Sequence, residues 1–181
     1  MKRGAKILVR TCARVSEGES VEVVADPERM PIALALMDEI EAAGATPSLL
    51  IPPPRSIDNE EPARVVAAAL LGAQVVFLPV SLAMAHTRAV REAIGTGARV
   101  LSMTAFTERM MREGGLFTDF AARRPTCLEL ARRLSVGARR RVATRAGTAL
   151  SRSPAGGIGN NPAGPWQSPG LTAVPNAQPS C

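Results

Sequence analysis

His86 is the single histidine among 181 residues, and its imidazole is the one side chain whose ordinary titration range lies near neutral pH. It stands in Ser81-Leu-Ala-Met-Ala-His86-Thr87-Arg88, directly after the apolar run Val75-Val76-Phe77-Leu78-Pro79-Val80. A short β-branched run of this kind reads as a buried strand, and ligands of open α/β sheets bind at the carboxyl ends of their strands. His86 is therefore the candidate catalytic acid–base, with the hydroxyls of Ser81 and Thr87 as candidate substrate-binding groups. A histidine or hydroxyl just ahead of a helix serves equally well as a cap. Cys12, Cys127 and Cys181 are too scattered for a zinc site or a disulfide framework, so no metal ligand is assigned and a reducing cytoplasm is the expected compartment. Cys12 and Cys127 fall within helical patterns and read as buried thiols.

Other charged groups have a structural reading. Asp26, Glu28, Glu60 and Glu61 stand beside prolines, which reads as helix starts with negative charge at the positive end of the dipole. Residues 123–145 hold eight arginines against the single acid Glu129. Such a cluster suits an anionic partner or a solvated helix face followed by a basic strand. Nucleic acid is not expected as a partner, because no helix-turn-helix, RNA-binding strand motif or zinc-finger spacing accompanies the charge. Four Phe, one Trp and no Tyr also leave no aromatic platform for stacked bases.

The elements that must position these groups follow a regular alternation. Residues 4–15 form a helical pattern, 20–25 a strand, 27–43 an amphipathic helix with Ile32, Leu36 and Ile40 at four-residue spacing, and 46–51 a second strand. Then come a helix over 60–71, a strand over 74–80, a helix over 87–96 and a strand over 99–103. Gly44-Ala45, Gly72-Ala73 and Gly97-Ala98 close the three middle helices and supply left-handed caps before each return strand. Repeated βα units of this kind build a parallel sheet between helices. Further on, 107–112 reads as a short helix, 125–134 as a longer one and 141–144 as a final strand.

Residues 65–85 carry no charge across twenty-one positions, long enough to cross a membrane. Gly72, Pro79 and Ser81 interrupt them, so they read as a helix followed by a buried strand, with no membrane partner. The amino terminus carries no secretory signal, since Arg10 and Arg14 break its apolar stretch. Residues 151–181 hold six Pro, five Gly and one charged side chain, a composition that does not bury enough apolar surface to order itself. Gly156-Gly157-Ile158-Gly159 lacks the strand, helix and acid of a dinucleotide loop. The first βα turn, Ala25-Asp26-Pro27-Glu28, has no glycine and two acids where a pyrophosphate would sit.

Several phrases together resemble the amino-terminal half of the thermophilic metalloaminopeptidases (aminopeptidases T and S), to which the iron-dependent 2,5-dihydroxypyridine 5,6-dioxygenases are similar. They are Glu17-Gly18-Glu19-Ser20-Val21-Glu22-Val23-Val24, Ser81 with His86-Thr87-Arg88, Gly97-Ala98-Arg99-Val100-Leu101-Ser102-Met103, Thr107-Glu108-Arg109-Met110 and Ala146-Gly147-Thr148. The resemblance implies a Rossmann-like three-layer α/β domain over residues 1–148 with a mostly parallel sheet, followed by a disordered or irregular Pro/Gly-rich tail over 149–181. It also implies a divalent metal (zinc, cobalt or iron) held by a carboxyl-terminal half that would be this domain's partner. After residue 129 the chain offers no Asp, Glu or His, so the expectation is a truncated, non-ligating domain of an aminopeptidase-like metallohydrolase, inactive alone. The alternatives are a fragment of a dioxygenase-like iron enzyme, toward which His86 points, or a stand-alone small-ligand binding or assembly module. Ala149-Leu150-Ser151-Arg152-Ser153-Pro154 departs from the family's continuation as a shifted reading frame would. A face evolved against a second domain predicts self-association, hence a homo-oligomer.

Overall fold

A computed structural model of the chain describes residues 1–136, 140–147, 149–152 and 170–173. The chain divides into two compact units, Met1–Thr118 with Pro165–Cys181, and Asp119–Gly164.

The first unit is a three-layer α/β domain. Helix α1 (Lys2–Lys6) runs on into a π-helical stretch, Ile7–Cys12. Strand β1 (Ser20–Val24) leads through a 3-10 turn at Pro27–Arg29 to α2 (Met30–Ala42), then β2 (Thr46–Leu50), α3 (Arg64–Gly72), β3 (Val75–Leu78), α4 (Arg88–Gly95) and β4 (Arg99–Ser102). Gly170–Ala173 forms a further strand beside β4. The sheet places β2 at one edge, then β1, β3, β4 and the 170–173 strand, and every pairing is parallel. Alternation along the strands feeds two cores. Val21, Val23, Phe77 and Leu101 meet α1 and the Ile32, Leu36, Ile40 stripe of α2; Val24, Val76, Leu78 and Val100 meet Val66 and Leu70 of α3 and Val90 of α4. Each such fully buried aliphatic side chain contributes about 1.5–3 kcal/mol. At Gly4 a Cβ would stand 2.3 Å from the Met111 carbonyl oxygen, so only glycine lets α1 lie directly on that backbone.

Element boundaries depart from expectation where local chemistry competes. Gly44 and Gly97 are left-handed as expected (φ 80° and 110°), but Gly72 is the last residue of α3 and its neighbour Ala73 is extended. Helix α3 starts at Arg64 rather than residue 60, because Pro62 pushes the chain before it out of helical conformation. The expected helix over 107–112 is a series of turns, with the Thr107 hydroxyl accepting from Met110 N–H and Arg112 N–H reaching Arg109 O. Residues 65–85 resolve into α3 and β3, and no helix among the described residues is long and apolar enough to cross a membrane.

The second unit holds α5 (Phe120–Val136), β5 (Arg140–Ala143) and β6 (Ala149–Arg152), the last two antiparallel. Asp119 caps α5 by accepting from Ala122 N–H at 2.9 Å, which starts the helix five residues ahead of the expected Pro125. The strand expected at 141–144 is β5. Of the tail expected to be irregular, 149–152 is β6 and 170–173, here termed β7, completes the five-stranded sheet; the Gly156-Gly157-Ile158-Gly159 phrase lies outside the described residues.

Candidate functional site

Strand β1 connects through α2 to β2 on one side, and β2 then connects through α3 to β3 on the other side of β1. The reversal leaves a crevice beyond the carboxyl ends of β1 and β3. Three loops meet there. Asp26-Pro27 follows β1, Pro52-Pro53-Pro54 ends β2 by removing backbone donors, and Pro79-Val80-Ser81 follows β3. Two cavities share Asp26, Pro54 and Arg55. One of about 230 Å³ adds Pro27, Glu28, Ser81 and Leu82. The other, about 190 Å³, adds mainly apolar walls from Val24, Val80, Met84 and the prolines 52, 53 and 62, with Glu60, Glu61 and Ala63.

Residues 55–61 tie down the loop that follows β3. Arg55 donates to the carbonyls of Leu82 and, at 2.7 Å, Ala83. Asp58 accepts from Ala83 N–H at 2.6 Å, Asn59 N–H donates to Ala83 O at 2.7 Å, and the Asn59 amide oxygen accepts from His86 N–H at 3.0 Å. Glu61 accepts from the Arg88 and Ala89 N–H groups at 2.5 and 3.3 Å, so its carboxylate sits on the open amino terminus of α4. The Arg88 backbone hydrogen bond, with that of Ala89 and the charges of Arg88 and Arg91, holds this carboxyl below its usual range despite some desolvation. Asp26 is nine-tenths buried and takes the Ser81 N–H on Oδ2. Carboxylates and amides thus replace the water that the loop's backbone donors would otherwise need.

The candidate residues separate on this scaffold. Ser81 is half-buried and lines the larger cavity. Thr87 is 1% exposed; its hydroxyl donates to Met84 O at 2.8 Å and accepts from Val90 N–H at 3.3 Å, which makes it the N-cap of α4. His86 is exposed and borders neither cavity, with its backbone fixed between Asn59 and the Arg91 guanidinium. Of the four acids read as helix starts, Glu28 stands in the first turn of the 3-10 helix as expected, and the other three do other work. Glu61 serves α4 rather than its own helix, Glu60 accepts from Ser56 N–H at 2.6 Å within its loop, and Asp26 bridges β1 to the β3 loop. Arg55, Asp58 and Asn59 were not singled out by the sequence. The available signal was Pro-Pro-Pro-Arg followed by Asp-Asn-Glu-Glu just after a strand, a turn-forming composition at the edge where ligands bind.

Cys12 is mostly buried in its helix, and burial pushes its thiol up to about 11, as a structural cysteine requires. Among the described residues, no three His, Cys, Asp or Glu side chains converge as a metal site would need. The described residues therefore do not fit a resident metal, and no chemical step is assigned through one.

No family model and no curated protein matches the sequence. Among solved structures, the fold is similar to that of a 2,5-dihydroxypyridine dioxygenase from Pseudomonas putida KT2440. The TM-score is 0.70 at 18% identity, over 96% of this chain and 52% of that one. The chain spans about half the length of that enzyme, and the likeness is one of fold. The resemblance to metalloaminopeptidases expected from the sequence gains no support from these comparisons.

Proposed function

We propose that this chain acts as the substrate-holding α/β domain of a ring-cleaving, dioxygenase-like enzyme. The observation that carries this reading is the pair of cavities at the reversal between β1 and β3, walled by apolar side chains around one buried carboxylate and one guanidinium. A space of about 150 Å³ already admits a benzene ring, so either cavity accommodates a single small heteroaromatic ring. A ring hydroxyl or N–H would donate to Asp26, and Arg55 would face a ring oxygenate. The fold likeness to a dihydroxypyridine dioxygenase favours this reading over the aminopeptidase one. Iron, in this view, belongs to residues outside this chain, which would form its catalytic partner. The residues of this chain orient the ring and exclude water. His86, outside both cavities, would exchange protons only with a ligand that extends over the rim.

Calorimetric titration with 2,5-dihydroxypyridine tests the proposal. Saturable one-to-one binding is expected, weakened at least tenfold in Asp26→Asn, as loss of a hydrogen bond to a charged group implies. Absence of saturable binding, or binding of a free dipeptide in its place, would sink it.

A further inference from the structure

The charge of the chain is not shared between its two units. Residues 119–164 contain nine arginines, no lysine and two acids, a net charge of +7, whereas the whole chain carries +6. The other unit is therefore close to neutral. Both acids of the arginine-rich unit are already engaged: Asp119 caps α5, and Glu129 accepts from Arg132 and Arg133 together. Arg123, Arg124 and Arg145 are exposed, and the side chains of Arg132 and Arg133 are 65% and 71% exposed. None of the described side chains of α5 is buried.

The fold adds a placement invisible in the sequence. Arg140 and Arg152 are direct partners across the β5–β6 ladder, twelve positions apart along the chain. Like charges at opposed register positions weaken a two-stranded ribbon. An anion bound along the ribbon would offset that repulsion.

Two features choose the kind of anion. Among the described side chains of α5, the exposed large apolar residues are Leu128 and Leu130, which stand two positions apart and so on different sides of the helix. Without an apolar stripe, α5 has nothing to insert into a lipid surface. Phe120 is its sole aromatic residue, which leaves no platform for unstacked bases. An α-helix and a two-stranded ribbon, by contrast, are the two shapes that the major groove of duplex DNA admits. We propose that the arginine-rich unit binds the phosphate backbone of duplex DNA without reading sequence.

The test uses the full chain, a labelled 25-base-pair duplex, a single-stranded RNA and vesicles of mixed phosphatidylserine and phosphatidylcholine, followed by anisotropy and co-sedimentation. The duplex should bind, with log affinity falling against log salt at a slope of about −4 or steeper, near 0.9 per phosphate neutralised. Arg123→Glu with Arg124→Glu should weaken this at least tenfold and flatten the slope by about two. Lys2→Glu with Lys6→Glu, an equal charge change in the other unit, should change affinity less than threefold. Circular dichroism confirms that both variants fold, and Arg145→Glu in the β5–β6 turn is a second disruptive variant outside the helix. No duplex binding at 50 mM salt, equal losses in the two double variants, tighter binding to the single strand, or binding to vesicles but not to the duplex would each overturn it.

Discussion

Glu22 lies in the middle of β1, 5% exposed, with Oε2 accepting from the Ser48 hydroxyl at 2.7 Å and Oε1 buried without a partner. Burial pushes its carboxyl up, against the opposing hydrogen bonds from Ser48 and the Val23 N–H. The folded chain then holds this proton more firmly than the unfolded chain does. Its contribution is therefore best at low pH and worsens as pH rises from the ordinary carboxylate range through the raised value. Glu22→Gln should melt higher than the parent at pH 7, by about 1 kcal/mol, with the gap closing at pH 4; a gap of the same size at both values would contradict this. Glu19, three residues earlier, has the opposite sign. Burial raises its carboxyl, but the Arg99 hydrogen bond, the Ser16 N–H and the Arg99 charge outweigh it and lower the group overall. Its pair with Arg99, at 2.7 Å, helps at neutral pH and fades on acidification. None of this was legible beforehand: one buried face of β1 was plain from Val21 and Val23, but a charged residue amid alternating valines reads as solvent-facing.

At the scale of elements, α4 is held at its amino end by two groups from different parts of the chain, the hydroxyl of Thr87 and the carboxylate of Glu61. The first was readable, since a hydroxyl before a periodic run is a cap. The second was not, because Glu61 is twenty-seven residues away and adjoins the start of another helix. Thr87→Val keeps the shape but removes both hydroxyl bonds, and should destabilise the domain by about 1–2 kcal/mol. Faster hydrogen exchange at the Val90 amide would confirm the cause; unchanged exchange there would show that Glu61 alone secures the helix end. The same asymmetry explains the cleft. The strands and the edge that carries it followed from the alternation of βα units, whereas the Arg55–Glu61 clamp depends on distant carbonyls and amides that no local pattern announces.

For the molecule as a whole, the parallel direction of β1 to β4 and the two covering helix layers follow from the repeated βα units and from apolar spacing, whereas the reversal that puts β2 outside β1 does not. Nor does β7, because Gly-Leu-Thr-Ala between prolines carries too weak a signal to name a strand. Its pairing with β4 leaves the sheet with two dissimilar borders. Pro47 within β2 lacks a donor and so discourages further strands on that side. On the opposite side β4 offers a full row of backbone groups, and β7 is what occupies them. A chain ending at residue 164 should therefore associate more strongly than the full chain as concentration rises, measurable by light scattering; equal association of the two would contradict this. During synthesis, moreover, β4 emerges well before its neighbour is made. Throughout that interval a nascent chain on one ribosome presents to the next the bare margin of β4, which the finished protein covers with β7.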